Sequence, residues 1–440
     1  MRTKRIKKIA LVLCIILISF FSSAQQSKTI SLQDAINQAQ LKNTQIKIAK
    51  QNKTISYAKY QQSEAIFLPN LTLNNSVTIT NNPLNNFGFK LLQQKAVMAD
   101  FNPTVLNNPD EITNFSTQIQ LQQPLINIDG FHQRKAAKFA KTASEYSLVR
   151  TKNGIKLQVQ TAYLKLQLAY KALDVIKKAL KTAKANYKYV TDLYKQGLVQ
   201  KSDVLNLEVY VASVKNQLQQ TESMLKNASD QLAYILGKPD KNVVLIPTDS
   251  LTLIKDGKDN KQLTLEKRSD ILAYKSQVNA QIQMLKASQS KFLPRANAFA
   301  NYEWNTANFL GFKANNYLVG LQLSWSVFSG GKHLNKIKQE RATLTKAQLG
   351  YKDYIAKAKL NFQKTKRQLR DALANLHRNK LAVSQSAEVL NIITNRYKQG
   401  LEKTTDLRNA QTQYKNKQLE YYRAIIMYNI TYYHLKFLQQ

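Results

Sequence analysis

The sequence predicts a mainly α-helical chain with a membrane β part, made of two copies of one unit in which strands lead into a long helical hairpin. Three observations carry that prediction. The eight prolines stand at Pro69, Pro83, Pro103, Pro109, Pro124, Pro239, Pro247 and Pro294, so residues 125–238 and 295–440 contain none. Runs of that length exclude folds of short strands, which need a breaker about every 8–12 residues. The pentapeptide Tyr-Lys-Gln-Gly-Leu occurs at 194–198 and again at 397–401. Four stretches of about ten residues alternate apolar and uncharged polar side chains, the period of a strand with one greasy and one wet face.

The N-terminus sets the compartment. Five basic residues (Arg2, Lys4, Arg5, Lys7, Lys8) precede an apolar stretch from Ile9 to Phe21 and a small-residue end at Ser22-Ser23-Ala24. This reads as a secretory signal peptide over 1–24, because the apolar stretch falls short of the roughly 20 residues that cross a bilayer. Cleavage after Ala24 removes Cys14, the single cysteine, and changes the formal charge from +38 to +33. Disulfide frameworks and thiolate metal sites are excluded with it. Export excludes nucleic acid as the partner of that charge, which belongs to solvated helix faces or to an envelope surface.

The duplication extends well beyond the pentapeptide. Phe67-Leu68-Pro69 recurs as Phe292-Leu293-Pro294, Gln120-Leu121 as Gln322-Leu323, and Gly130 with His132 as Gly331 with His333. The first copy carries extra residues between its strands, and 82–114, rich in Asn and Pro, reads as a long loop.

Each copy gives helix, strand, loop, strand, long helix, tight turn and second helix. Ser31, with Asp34 three residues on, caps a first helix expected to run to about Phe67. Strands follow at about 71–80 and 115–125, and in the second copy at about 296–305 and 317–327. One face carries Leu71, Leu73, Val77 and Ile79, and again Tyr317, Val319, Leu321, Leu323, Trp325 and Val327. That pattern fits a barrel wall between lipid and water. Four strands cannot close a barrel, and open edges are not tolerated in lipid, so such a barrel would be shared between chains. From Phe131 to Tyr194 the chain is helical, at about 1.5 Å per residue some 95 Å long. After the turn, Leu207, Val211, Val214, Leu218, Thr221 and Leu225 keep heptad spacing. The second copy gives a helix from about Lys332 to Tyr397 and another from about Thr405, with Leu407, Ala410, Tyr414, Tyr421 and Tyr428 as a looser stripe. The turns at 197–203 and 400–406 can only reverse the chain, so the helices pair as antiparallel hairpins.

Taken together, these pieces resemble the TolC family of outer-membrane efflux proteins. The residues that carry the resemblance are Ser31-Leu32 with Asp34-Ala35, the two Phe-Leu-Pro triplets, Gln123-Pro124-Leu125, Val327-Phe328-Ser329-Gly330-Gly331, and the tips Tyr194-x-x-Gly197-Leu198 with Asp203 and Tyr397-x-x-Gly400-Leu401 with Asp406. The resemblance implies a first repeat over 25–236, an equatorial stretch over 237–266 and a second repeat over 267–440. It also implies a homotrimer whose 12-stranded β-barrel in outer-membrane lipid continues into a long periplasmic α-helical barrel. In that reading the chain is a passive conduit of a tripartite efflux or type I secretion system, docked through its tips on a periplasmic adaptor and an inner-membrane pump. Asp203, Asp406, Glu402 and Tyr397 are the pore or gate candidates, and Tyr194, Gly197, Leu198, Gly400 and Leu401 the docking candidates. Glu402 stands where family members often carry a basic gate residue, and Asn409 where they often carry a second acid. No catalytic constellation and no cofactor motif is visible. A periplasmic coiled-coil adaptor and a non-conducting envelope protein remain the alternatives.

Overall fold

The computed structural model describes residues 26–238, 243–254, 265–309 and 311–440. The expected signal peptide at 1–24 lies outside these, as do 239–242 and 255–264 of the expected equatorial stretch. In chain order the elements are β1 (Gln26–Ile30), α1 (Leu32–Lys42), α2 (Thr44–Gln62), β2 (Asn70–Thr80), α3 (Pro83–Leu92), α4 (Pro103–Asn107), β3 (Ile112–Ile126), α5 (Ile128–Lys195), α6 (Lys201–Ile235), β4 (Val243–Pro247), α7 (Ser269–Ser290), β5 (Arg295–Thr306), β6 (Ala314–Ser324), α8 (Lys332–Lys398) and α9 (Thr404–Gln439). The chain divides into two compact units. One comprises the described residues up to Gln51 with Tyr146–Ile271 and Tyr354–Gln440, the other Asn52–Glu145 with Leu272–Asp353.

Three expectations are corrected. The first helix does not run to Phe67. It breaks at Asn43, whose Oδ1 accepts from the N–H groups of Gln45 and Ile46 and starts α2 afresh, while its Nδ2 donates to the Ile235 carbonyl. The stretch 82–114 is not a bare loop. Pro83 and Pro103 each open a short helix, α3 and α4, with Asn82 and Asn102 as caps. The last strand begins at Ala314 and ends at Ser324, so Trp325 and Val327 lie beyond it.

The first unit has a core complete within one chain. Ile30, Ala35, Ala39, Ile46, Val159, Leu166, Leu232 and Leu245 are buried together. Two short strands absent from the sequence reading, β1 and β4, pair in parallel over this core. Tyr163, 1 % exposed, ties them down: its hydroxyl lies 3.1 Å from the Ile30 carbonyl and 2.8 Å from Asp249 Oδ2, which also accepts from Leu32 N. Burial, reinforced by Asp249, pushes the phenol up to about 12. A second knot joins the start of α7 to α5, α8 and α9. Arg268 grips Asp270 through both oxygens, Tyr354 donates to it, and Arg150 lies 3.3 Å away while stacking on the Phe437 ring. Burial alone would raise the Asp270 carboxyl, but Arg268, Tyr354 and Arg150 together hold it below the usual range.

The second unit is organised by an antiparallel sheet in the order β2-β3-β5-β6. Its odd-numbered face on β2 presents Leu71, Leu73, Val77 and Ile79, and on β6 Tyr317, Val319, Leu321 and Leu323, all more than half exposed. The opposite face carries Asn74, Ser76, Gln118, Gln120, Asn301 and Glu303, and there Ser116 donates to Glu303 Oε1 at 2.6 Å. An apolar face left open over four strands is the reverse of a soluble sheet, where the apolar face is the covered one. Among the described residues β2 and β6 each have one side with no partner strand. Among the described residues no helix is long and apolar enough to cross a membrane.

Candidate functional site at the helical tips

α5 and α6 form one hairpin and α8 and α9 the other, and both turn on the same backbone. Gly197 and Gly400 have φ of 73° and 76°. The next residue then reaches back, Leu198 N to Leu193 O and Leu401 N to Arg396 O, each at 3.0 Å. This closes carbonyls left orphaned in the last helical turn, and the left-handed residue it requires is glycine. Neither glycine has a neighbour within 4 Å of where a Cβ would stand, so backbone conformation alone selects it. Leu198 and Leu401 are carried into solvent, 67% and 61% exposed.

Side chains from the two tips line a shared cleft of about 760 Å³. It brings together Leu198, Asp203, Tyr397, Gly400 and Glu402, while Tyr194, Gly197, Leu401 and Asp406 do not line it. Asp203 and Asp406 sit in the first turns of α6 and α9, each with its N–H 3.0 Å from the carbonyl three residues back. Gln200 and Lys403, the cap residues, supply no side-chain cap, so the carboxylates complement the positive helix end. Glu402 is not a free charge: its Oε1 accepts from Arg396 Nε at 2.7 Å. Tyr397 is half-buried, with its hydroxyl 3.3 Å from Thr404 Oγ1 and its ring edge-on to Tyr189 at 6.2 Å. Burial pushes its phenol above the ordinary value.

Arg396, Thr404 and Tyr189 were missed in the sequence. Alignment of the two pentapeptides held the signal, since the same offset puts Leu193 over Arg396 and Val199 over Glu402. Lys415 was missed too: 5 % exposed on α9, it donates to Gln217 Oε1 of α6 at 2.8 Å.

Residues 35–238 and 261–435 match the family described as outer membrane efflux protein. No curated protein matches the chain. Solved structures with the same fold include a membrane protein from Pseudomonas aeruginosa, 15% identical with a TM-score of 0.80 over 93% of both chains. The CmeC outer membrane channel of Campylobacter jejuni is 15% identical with a TM-score of 0.79, over 93% of this chain and 85% of that one. The outer membrane protein VceC of Vibrio cholerae is 19% identical with a TM-score of 0.77, over 93% and 94%. With an open apolar sheet, two long hairpins and a family match over most of its length, the chain belongs to the outer membrane efflux protein family, and is an outer-membrane channel of the tripartite efflux type with a large periplasmic helical part.

Proposed function

We propose that three copies of the chain join edge to edge, β6 of one against β2 of the next, to close a 12-stranded barrel, and that their helices form the tunnel below it. The carrying observation is the pair of unpartnered edges on a sheet whose apolar face is exposed, since lipid accepts only closed sheets. The division into a signal peptide at 1–24, repeats at 25–236 and 267–440 and an equatorial stretch at 237–266 belongs to the same reading. Leu198, Leu401 and Tyr194, exposed on tips shaped by Gly197 and Gly400, suit docking on a periplasmic adaptor that connects the channel to an inner-membrane pump.

At the mouth, Asp406 and Asp203 are the carboxylates left to set charge selectivity, because Arg396 engages Glu402. Two measurements test this. The detergent-solubilised protein should have the mass of a trimer and conduct in planar bilayers; a soluble monomer without conductance would reject the channel. Asp406→Asn should lower the preference for cations, read as a shift in reversal potential under a salt gradient. An unchanged potential and conductance would remove Asp406 from the gate.

A further inference from the structure

The insert between β2 and β3 contains a helix built inside out. Asn86 and Gln93, seven residues apart on α3 and its cap, are 2% and 5% exposed. Leu84 and Leu91, also seven apart and about 200° away around the helix, are 81% and 51% exposed. The buried polar stripe is tied to the strands by hydrogen bonds. Asn86 Nδ2 donates to the Asp110 carbonyl, and Gln93 Nε2 donates to the Thr113 carbonyl and to Asn114 Oδ1, both at 2.9 Å. Asn114 in turn donates to Asn305 Oδ1 at 2.7 Å. The Lys90–Asp100 ion pair at 2.7 Å and the edge-on rings of Phe87 and Phe101 fasten α3 to the rest of the insert.

The position of this helix gives it a role. Asn114 and Asn305 belong to the polar face of the sheet, in register with Ser116, Gln118 and Glu303. α3 packs against β3, β5 and β6, so it crosses the sheet on the side away from lipid. It does so at the end where β2 gives way to β3 and β5 to β6, opposite the end that leads into the long helices. In the trimeric barrel proposed above, on which this inference rests, that is the outer mouth, and the exposed leucines face the space the three copies share.

We propose that α3 is a lid on that mouth and that its Leu84–Leu91 stripe is covered by the same stripes of the other two copies. Lipid lies on the other face of the sheet and cannot cover it, and water is a poor neighbour for two exposed leucines. Among the described residues the second repeat has no counterpart, since only seven residues, 307–313, separate β5 from β6, so each trimer carries three lids.

Single-cysteine chains test the contact. Leu84→Cys and Leu91→Cys, each with Cys14→Ser, should give disulfide-linked subunit pairs when the purified trimer is oxidised, and Tyr317→Cys on the lipid face should give none. The double variant Leu84→Lys/Leu91→Lys, which leaves the buried stripe intact, should raise single-channel conductance at least about twofold. A conducting trimer with no cross-links and unaltered conductance would overturn the lid and leave the channel standing. Quenching at position 84 by spin-labelled lipid would assign the stripe to the membrane and overturn it as well. A protein that neither trimerises nor conducts would overturn both.

Discussion

The two tips share a backbone and differ in chemistry. Gly197 and Gly400 adopt the same left-handed conformation and the same return hydrogen bond, yet the flanking positions hold Leu193 and Val199 in the first hairpin and the bonded pair Arg396 and Glu402 in the second. The polarity extends up the second hairpin, where Tyr397 meets Thr404 and Lys415 reaches across to Gln217. At the position of Lys415 the first copy has an exposed Ala212. Duplication has thus kept the element that reverses the chain and varied the side chains that hold the tip in one state. Salt can loosen the Arg396–Glu402 pair of the second tip, whereas the aligned positions of the first, Leu193 and Val199, carry no charge.

The largest expected effect breaks what the tips have in common. Gly197→Ala and Gly400→Ala should each destabilise their own tip by about 1–2 kcal/mol, since both force a Cβ into the left-handed region. Hydrogen exchange over 190–206 and 393–409 should show equal losses, and unequal ones would refute the shared design. Next is Lys415. Burial lowers its pKa below the ordinary 10.5, so in the interval below 10.5 the unfolded chain holds more protons than the folded one and stability rises with pH. Lys415→Met should therefore raise the melting temperature at neutral pH, with the gain shrinking as pH climbs toward 10.5. Smaller still, grafting the pair as Leu193→Arg/Val199→Glu should add salt-sensitive protection of about 0.2–1 kcal/mol to the first tip, the usual worth of an exposed ion pair. Arg396→Leu/Glu402→Val should remove as much from the second. Tyr397→Phe is last, losing one long hydrogen bond and leaving the ring in place; exchange at the second tip should be faster by the equivalent of about a few tenths of a kcal/mol at most.

Legibility followed periodicity. The long helices and the four membrane strands could be located because one period holds over many residues, and the tip glycines because a positive φ leaves few alternatives. β1 and β4 were not legible: five residues each, they gain their place from Tyr163, 133 residues along the chain from Ile30, and from Ser229 on α6. The break at Asn43 joins a local cap on Gln45 and Ile46 to a bond with the Ile235 carbonyl, nearly two hundred residues away, which the sequence does not show. The tip aspartates were found through the repeat, whereas the Arg396 bond to Glu402 required coordinates, since sequence shows that two charges exist and not that they meet. The α3 helix was hidden by its inversion, since leucines spaced for a core gave no sign that they face outward.

The unpaired edges of β2 and β6 also bear on how the channel comes into being. The core around Tyr163 is complete in one chain and can form by a first-order process, whereas closing the proposed trimeric barrel would need encounters between copies and be of higher order in chain concentration. Until then each chain displays two eleven-residue edges beside an apolar face, a surface prone to mispairing. The number of finished pores should therefore rise more steeply than in proportion to the amount of chain delivered, and below some supply the edges would be met by whatever in the envelope shields them.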